Sequence, residues 1–390
     1  MTMALRPLPT TAAPVLARVS VFRSMAEAEP YWRALENSGA VMSAYQRFDF
    51  MAAWQHHLGS AEGVTPAIVV GFDAVNAPLV VLPFGLRRFG ELKIVGFLGG
   101  KHVNFNLGLW RRDFVAGADA DVLDRLAKAA DADALVLRNQ PHEWQGIRNP
   151  LSLWPHVKSP SLGHKGQLKR DFEALIAERL SSSTRRKIRK KGEKLSAAGG
   201  MTFARADSDA EALGVLDVFL EQKIARMRQI GQTDLFGRPD VQNFVRAAVT
   251  RSNGRQPIEI YSLSVGADVI ATFAGVCDDE RFSAMFNSIE PDRFQTESPG
   301  EQCLFQLVRY CCQRGLKTFD LGIGEARYKN LFCQDDEPVF DSFVALSPGG
   351  RLYVAAARVA QAAKRWIKSR PTVWNGLETA RRFSAGLLAR

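Results

Sequence analysis

The sequence predicts an α/β protein with two similar units in tandem, each a mixed, largely antiparallel β-sheet flanked by helices. The length of 390 residues accommodates two or three domains at about 150 residues each. A hydrophobic share of 46% and a charged share of 24% are typical of globular proteins. Both halves also show the same order of predicted elements: helices, consecutive strands, one more helix and a short strand. Since no sequence repeat accompanies this order, it indicates a duplication of structure.

The first unit is predicted to span residues 20–150. Helical spacing of apolar residues predicts helices, whereas alternating or continuous apolar runs predict strands. The predicted helices cover residues 25–37, 48–58 and 122–130. The predicted strands cover residues 67–72, 79–86, 92–97, 104–110 and 134–138. A loop rich in proline and tryptophan follows, and we place the boundary between the units there.

The second unit is predicted to span residues 160–350, and it opens with a basic helical segment over residues 167–199. This segment is interrupted near residues 181–183, where Ser183 or Thr184 is expected to cap a second helix. The remaining predicted helices cover residues 210–230, 239–251, 301–314 and 325–332. The remaining predicted strands cover residues 258–265, 269–277, 282–289, 318–321 and 343–346.

Composition and patterning argue against several other classes of protein. The longest uncharged apolar run, residues 79–86, has eight residues, whereas a membrane span requires ~18. Prolines and threonines interrupt the N-terminal segment, so we expect no signal peptide and a cytoplasmic protein. The five cysteines form no C-x-x-C pair and predict free, mostly buried thiols. We therefore expect neither a disulfide framework nor a metal site.

The formal net charge of +10 is concentrated in two segments. Residues 185–194 hold seven basic residues and one acid, and residues 351–390 hold nine basic residues and one acid. In the second segment, Leu352, Val359 and Trp366 recur at heptad spacing, each preceded by an arginine. This pattern predicts a basic amphipathic helical tail, with a second helix after a proline. The tail is expected either to dock on the second unit or to bind an anionic membrane surface, which would place the protein at the inner face of the membrane.

One candidate site lies at residues 295–301. Gln295, Ser298 and Gly300 match a Q-x-x-G-x-G spacing with serine in place of the first glycine. A loop before a helix can bind phosphate through free backbone N–H groups and the helix dipole. The same stretch also reads as a capping box from Ser298 to Glu301, which needs no ligand. From the residues alone, capping is the favoured interpretation, because Glu297 and Glu301 would repel phosphate.

A second candidate site follows the predicted strand at residues 318–321. Asp320 ends this strand before two closely spaced glycines, so it can orient a nucleophile, accept a proton or cap the next helix. Glu325, Tyr328 and Lys329 lie within one turn of predicted helix and could supply a base, an acid and an oxyanion stabiliser. A surface Glu–Lys pair is the commoner explanation of that spacing. The adjacent G-x-G nevertheless favours a site.

The stretch SPGEQCLFQLVRYCCQRGLKTFDLGIGEARYK at residues 298–329 is the most specific part of the sequence. Together with residues 45–59, 79–100 and 181–200, it resembles GNAT-superfamily acyltransferases of the cellulose-biosynthesis (CelD/BcsL-type) family. The resemblance covers most of residues 20–350. That family is related to the FemAB-type peptidoglycan transferases. The resemblance therefore implies two GNAT-like units in tandem, with the acetyltransferase unit in the second half.

The resemblance also implies roles for individual residues. Residues 328–332 are similar to the F-K-x-x-F pattern of FemAB-type proteins, which implies that Lys329 stabilises the oxyanion of a tetrahedral intermediate. Asp320 or Glu325 would accept the proton, with Tyr328 in the same catalytic group. Residues 295–300 are then expected to bind acetyl-CoA or another acyl-CoA. Three further residues are expected to contact the substrate: Asn287, Arg186 and Arg189.

The resulting hypothesis is an enzyme that transfers an acyl group, most simply acetyl, to an amine or hydroxyl without a metal. The expected acceptor is a sugar nucleotide, a lipid-linked saccharide or another envelope or exopolysaccharide precursor. One alternative is an aminoacyl-tRNA-dependent transferase of the FemAB kind, in which residues 185–194 contact RNA phosphates. Nucleic acid is otherwise not an expected partner. Another alternative is a non-catalytic accessory protein of polysaccharide synthesis, which the altered Q-x-x-S-x-G loop would suit.

Overall fold

The computed structural model describes residues 14–231, 235–324, 331–368 and 370. The α-helices of this part of the chain are α1 (Met25–Asn37), α2 (Phe48–Trp54), α3 (Arg112–Val115), α4 (Ala120–Ala129), α5 (Phe172–Arg179), α6 (Ser182–Ala197), α7 (Asp209–Ile230), α8 (Pro239–Val249), α9 (Pro299–Gln313) and α10 (Pro348–Lys368). A π-helical turn, Gln55–Gly59, continues α2.

The strands of the first half are β1 (Arg18–Phe22), β2 (Thr65–Pro66), β3 (Ile68–Phe72), β4 (Pro78–Leu82), β5 (Phe84–Phe89), β6 (Leu92–Phe97), β7 (Leu109–Trp110), β8 (Ala134–Pro141), β9 (Glu143–Trp144) and β10 (Ile147–Arg148). Those of the second half are β11 (His156–Lys158), β12 (Gly163–Gln167), β13 (Met201–Arg205), β14 (Glu259–Val265), β15 (Asp268–Cys277), β16 (Arg281–Ile289), β17 (Thr318–Ile323), β18 (Asp335–Glu337) and β19 (Val339–Ala345).

Two large sheets form the framework of the molecule. One has seven strands in the order β13-β14-β15-β16-β17-β12-β18, and the other has six in the order β11-β19-β8-β6-β5-β2. A four-stranded sheet, β1-β3-β4-β7, and the small hairpin β9–β10 complete the sheets that the structure describes. The predicted fold class, α/β with mixed, largely antiparallel sheets flanked by helices, is confirmed.

Each large sheet contains one parallel pair of neighbouring strands among the described residues. β6 pairs with β8 in one sheet, and β16 pairs with β17 in the other. A crossover helix lies between the strands of each pair, α4 in the first half and α9 in the second, because parallel neighbours need a long connection. The two halves are therefore built on the same pattern.

The last strand of the chain returns to the sheet of the first half. β19 pairs with β8, where Phe343 lies opposite Val136, and β11 pairs with β19 on its other side. The sequence analysis placed this strand, expected at residues 343–346, in the second unit. The predicted domain ranges of 20–150 and 160–350 thus divide a sheet to which both ranges contribute, and they remain a prediction.

Buried side chains from both halves form one continuous core. The rings of Phe50 in α2 and Phe244 in α8 meet edge to face, with their centroids 5.4 Å apart. A second core lies beneath α9, where Phe282 and Phe319 stack on the seven-stranded sheet. Four of the five cysteines are buried, as expected, and Cys277 is partly exposed.

The structure corrects several predicted elements. The strand expected at residues 79–86 is divided between β4 and β5, which lie in different sheets on either side of Pro83. A proline has no N–H to continue a ladder, which accounts for the break. Only Leu109–Trp110 of the strand expected at residues 104–110 is extended in a sheet. The cap of α6 is Ser181, whose Oγ accepts a bond from the N–H of Thr184 at 3.2 Å.

The first helix predicted for the tail is confirmed as α10. It packs on the six-stranded sheet through β19, which lies in the predicted second unit, and through β8, which lies in the first. Val354 and Gln361 are buried in this contact, and Nε2 of Gln361 donates to Oδ2 of Asp341 at 2.8 Å. None of the described helices is long and apolar enough to cross a membrane. The second tail helix, expected after Pro371, lies outside the described residues.

Candidate functional site

The parallel strands β16 and β17 pair over only three residues. Ser283 lies opposite Asp320 in the last of these pairs, and β16 then continues along β15 to Ile289. The chain next forms the loop that leads to α9, which begins at Pro299. Within the described residues, pairing of the two parallel strands stops after Ser283. The sheet therefore opens at this point, between the second half of β16 and the end of β17.

A buried charge cluster lies beside this opening, in the contact between the two halves of the chain. Nε of Arg281 donates to Oδ2 of Asp320 at 2.6 Å, and one Nη donates to Oε1 of Glu337 at 3.1 Å. The guanidinium also lies 4.7 Å from the ring centroid of Phe105 and 4.3 Å from that of Trp144. Since both rings come from the first half, Arg281 joins the seven-stranded sheet to that half.

The two carboxylates that share Arg281 respond differently to burial. Burial raises the pKa of Asp320, and the contacts with Arg281 and Ser283 offset this only in part. Burial also acts on Glu337, but Arg281 and Lys165 outweigh it and lower the pKa of Glu337. Nζ of Lys165 lies 3.1 Å from Oε1 of Glu337 and supplies a second cation. The two cations and two carboxylates therefore compensate one another within the contact between the halves.

Asp320 fixes the turn that follows β17. Its side chain is fully buried, its Oδ2 accepts from Arg281 and the hydroxyl of Ser283, and its Oδ1 accepts from the N–H of Gly322 at 2.8 Å. Gly322 has a φ of 71°, and a side chain there would meet Nδ2 of Asn104 at 2.5 Å. Glycine is therefore required in this turn.

The chain passes from this turn towards the residues predicted to be catalytic. Glu325, Tyr328 and Lys329 lie outside the described residues. Asp320 precedes Glu325 by five residues in the sequence and Lys329 by nine. The described contacts of its carboxylate are those of a buried group that holds the turn.

The N-terminus of α9 differs from the predicted capping box. Ser298 has a left-handed backbone with a φ of 53°, and its side chain makes no capping bond. Instead, Nζ of Lys191 in α6 donates to Oγ of Ser298 at 2.8 Å and to Oε2 of Glu301 at 3.1 Å. A second lysine of α6, Lys194, lies 3.5 Å from Oε1 of Glu297. The capping-box interpretation was therefore wrong, because the backbone turns the serine towards α6.

The other predicted residues of this segment lie in the same loop. Gln295 opens a short 3₁₀ turn, and its Nε2 donates to the carbonyl of Pro291. Gly300 lies in the first turn of α9, where an added Cβ would stand 3.0 Å from a methyl of Ile289 in β16. The loop, the end of β16 and α6 are thus in contact. The two segments predicted separately at residues 185–194 and 295–301 form one surface.

An arginine-lined cavity of about 660 Å³ adjoins this surface, between α5, α6 and α9. Arg185, Arg186 and Arg189 of α6 line it together with Arg309 of α9. The Nε of Arg185 is buried and has no hydrogen-bond partner among the described residues. Arg189 lies 3.7 Å from Glu193, and both side chains are largely exposed. We name this space the arginine cavity. Two acids, Glu173 and Glu193, also line it, and the excess of arginines over acids favours an anionic ligand.

Asn287, the remaining predicted contact residue, lies on the part of β16 beyond the parallel pairing. It is opposite Phe273 of β15, and its carbonyl accepts from Nζ of Lys223 at 3.3 Å. The structure thus brings Gln295, Ser298 and Gly300 together with α6, whereas Asn287 belongs to the adjoining strand. Among the described residues, no group of three or more His, Cys, Asp or Glu side chains is placed to hold a metal ion.

Sequence analysis missed most of the buried charge cluster. Arg281 directly precedes a predicted strand and follows three acids, which is typical of a solvated turn. Glu337 lies 56 residues further along the chain. The one signal was Asp320 itself, a carboxylate within an apolar strand, which requires a partner when buried. The partner could not be identified from the sequence.

A comparison with protein-family models identifies the class of the second half. Residues 182–330 match the model described as the Acetyltransferase (GNAT) domain, and this range contains α6, β16, α9 and β17. The chain therefore carries a GNAT-type acetyltransferase domain, as the resemblance implied. A search of curated protein sequences found no match.

Solved structures show the same fold over most of the chain. FemX aligns with a TM-score of 0.56 at 11% identity, covering 87% of this chain and 100% of that one. The C-terminal domain of a putative lysylphosphatidylglycerol synthetase from Agrobacterium fabrum aligns with a TM-score of 0.52 at 12% identity, covering 86% and 97% of the two chains. A protein of unknown function from Bacteroides thetaiotaomicron gives 0.51 at 10% identity, with coverages of 85% and 100%. These likenesses show that the chain shares its fold with these proteins over most of its length.

Proposed function

We propose that the protein transfers an acyl group, most simply acetyl, from acyl-CoA to an amine or hydroxyl. The observation that carries this proposal is the contact between α6 and the N-terminus of α9, beside the opening between β16 and β17. That contact lies within the range that matches the GNAT domain. It places two lysines and the arginine cavity next to a helix N-terminus, and helix N-termini in general can bind phosphate groups.

The lysines offset the negative charge that would otherwise repel phosphate at the N-terminus of α9. Glu297 and Glu301 would repel an anion, but Lys194 and Lys191 lie within salt-bridge distance of them. The first turn of α9 offers few backbone donors, because Pro299 has no N–H and the N–H groups of Glu301 and its neighbour bond to the carbonyl of the preceding serine. Phosphate binding would therefore depend on lysine side chains more than on backbone amides.

The chemistry proposed for the opening is direct transfer. The acceptor amine or hydroxyl attacks the acyl carbonyl, the acceptor loses its proton, and the thiolate of the donor leaves and is protonated. We assign Asp320 the role of positioning the turn after β17, since its carboxylate already accepts hydrogen bonds from three donors. Glu325 then accepts the proton, and Lys329 stabilises the oxyanion, with Tyr328 as the acid. The proposed acceptor remains a sugar nucleotide, a lipid-linked saccharide or an exopolysaccharide precursor, and the link to cellulose biosynthesis rests on the sequence resemblance alone.

The second candidate function is aminoacyl transfer from tRNA. The exposed basic side chains of α6, among them Arg186, Lys187, Arg189 and Lys190, would suit a long polyanion. The fold shared with FemX is compatible with this function. A third candidate is an accessory role without catalysis. It is suggested by Ser298, which stands where the Q-x-x-G-x-G pattern has its first glycine.

Calorimetric titration distinguishes these functions. Acyl-CoA use predicts binding of acetyl-CoA that weakens with salt, because exposed charges are screened. Reversal of Arg186 and Arg189 to glutamate should weaken donor binding about tenfold or more, whereas reversal of Arg226 and Arg228 on α7 should leave it unchanged. Binding of tRNA without binding of acetyl-CoA would replace the proposal by the second function. Binding of neither would favour the accessory role.

The pH profile of kcat tests the roles of the two carboxylates. Glu325→Gln should remove the acidic limb of the profile, because that limb reports the base. Asp320→Asn should lower the rate and retain the limb, since the variant loses positioning and keeps the base. Loss of the limb in Asp320→Asn alone would assign the base to Asp320 instead. Lys329→Ala should lower kcat about 10²-fold, as the removal of one oxyanion donor does.

A further inference from the structure

The outward face of α10 carries apolar side chains in contact with solvent. Leu352 is 77% exposed, Val359 69% and Trp366 51%. Residues seven apart on a helix return to within about 20° of each other, so these three form one stripe along the helix. Exposed apolar side chains in a continuous stripe are typical of an interaction surface.

The contact of α10 with the sheet determines which face is outward. Val354 and Gln361 are buried on the opposite side of the helix, and Oδ2 of Asp341 accepts from Gln361. The first turn lies so close to the sheet that a Cβ on Gly350 would stand 1.8 Å from the carbonyl oxygen of Asp133. The helix cannot rotate to bury the stripe without breaking these contacts.

Basic side chains flank the stripe. Arg351, Arg358 and Arg365 each precede a stripe residue and form a parallel row on one flank, whereas Lys364 lies nearer the sheet, where its charge acts on Asp341. All four are exposed, and α10 contains no acidic residue. Long basic side chains beside an apolar stripe can place their charged groups at a polar surface while their aliphatic carbons contact apolar groups.

A hairpin of the same sheet extends this surface. Phe89 at the end of β5 is 67% exposed, and its ring centroid lies 5.5 Å from that of Tyr353 in α10. Arg88 beside it is exposed, and one acid, Glu91, lies at the tip of the hairpin. Phe89 therefore adds an exposed aromatic ring beside α10, whereas Arg88, the preceding residue of the strand, projects from the opposite face of the sheet. We name this combination the α10 surface.

We propose that the α10 surface binds the surface of a bilayer that contains anionic phospholipids. An apolar stripe flanked by basic residues matches the requirements of a helix that lies in the membrane interface. A second copy of the chain is a poorer fit, because two such surfaces would bring their arginine rows together without acids. The inference goes beyond the proposed acyl transfer and does not depend on it.

Co-sedimentation of the full chain with vesicles tests the proposal. At low salt we expect binding to vesicles of phosphatidylcholine with phosphatidylglycerol, little binding to phosphatidylcholine alone, and release at high salt. Arg358→Glu with Arg365→Glu should weaken binding by at least about 30-fold, since each basic residue near the surface contributes about fivefold. Leu352→Ser with Val359→Ser should weaken it to a similar extent with the charges intact.

Matched controls separate this surface from a general effect of charge. Arg226→Glu with Arg228→Glu on α7 makes the same change in net charge, and Val75→Ser removes a side chain that is 81% exposed elsewhere. Both should bind vesicles as the unaltered chain does, and circular dichroism should show that every variant is folded. The proposal is overturned if the full chain stays in the supernatant, or if the α7 variant loses as much binding as the α10 variant. It is also overturned if sedimentation velocity shows a dimer that the α10 substitutions dissociate while vesicles are not bound.

Discussion

Arg281 and Asp320, 39 residues apart, form a buried ion pair with 2.6 Å between Nε and Oδ2. Arg281 is 7% exposed and Asp320 is completely buried. The same guanidinium binds Glu337 and lies over two aromatic rings of the first half. This single side chain thus connects β16, β17 and β18 with the other half of the molecule, next to the candidate site.

Arg281→Met should destabilise the protein strongly. The substitution leaves the carboxylates of Asp320 and Glu337 buried without their common cation, and breaking a buried pair costs about 3–5 kcal/mol. Chemical denaturation at neutral pH measures this change in the free energy of unfolding. The variant should recover part of its stability as the pH falls, because protonation neutralises the two carboxylates.

Arg293→Met is the control for this prediction. Arg293 pairs with Asp268 at 2.8 Å, but both side chains are more than half exposed. Its loss should cost less than about 1 kcal/mol, as is usual for surface pairs. Equal losses in the two variants would contradict the importance assigned to the buried charge cluster.

Lys191→Ala should weaken binding of acetyl-CoA about tenfold or more. The lysine bridges Ser298 and Glu301, so its removal leaves carboxylate charge beside the phosphate that we propose at the start of α9. Calorimetry compares the dissociation constants of the variant and the unaltered chain. Lys187→Ala, an exposed change in the same helix, should have little effect on affinity. If both variants bind alike, Lys191 is not part of the donor site.

Acid should destabilise the protein through His102. Burial, and then the charge of Lys101, lowers the pKa of His102 to about 4 from its ordinary 6.5. Because the folded-state pKa is the lower one, neutral His102 stabilises the fold fully above about pH 6.5. That contribution is lost as the pH falls towards 4, by about 3 kcal/mol.

His102→Gln should reduce this acid-induced loss, because glutamine does not titrate. The imidazole accepts a bond from Nε1 of Trp54 at 3.2 Å, and the amide oxygen can take that bond. Denaturation curves at several pH values measure the difference. The exposed His56 provides the control, since His56→Gln should lose stability as the unaltered chain does. Parallel curves for all three proteins would rule out His102 as the source.

Two glycine substitutions should have opposite effects on stability. A Cβ on Gly166 in β12 would stand 1.9 Å from the backbone oxygen of Phe332, which also accepts a bond from Arg179. Gly166→Ala should therefore cost about 1–3 kcal/mol or more and lower activity, because Phe332 closely follows the predicted catalytic residues. Gly214→Ala, in an open position of α7, should stabilise by about 0.5–1 kcal/mol. Thermal unfolding of both variants checks the pair, and equal behaviour would contradict the predicted clash.

The regular elements of this chain could largely be predicted from the sequence. The helices at α1, α7 and α9 and the strands at β14 to β16 follow from apolar periodicity, which is a local property. The glycine after α9, Gly315, has a left-handed backbone with a φ of 77°, as is common for a glycine that ends a helix. The break in the strand at Pro83 also has a local cause. The pairing of β5 in a different sheet from β4, however, depends on contacts with distant segments.

The site could be predicted only in part. The sequence identified α6 and residues 295–301 as separate candidate segments, and it did not predict their contact with each other. It could not reveal that Lys191 engages Ser298, because these residues are 107 positions apart. From the residues alone it favoured capping at Ser298. That prediction failed because a serine caps a helix when its backbone is extended, and the backbone of Ser298 is left-handed.

The sequence by itself thus determined the classes of the elements, the two-unit plan and the segments rich in basic residues. Only the tertiary structure decided which strand completes which sheet, which side of α10 faces solvent and which carboxylates share Arg281. The physical reason is that periodicity and turn preferences act over a few residues. The pairing of strands and the contacts between helices instead depend on the packing of segments that are far apart in the chain. The same holds for buried charges, because an ion can be buried only beside a compensating partner.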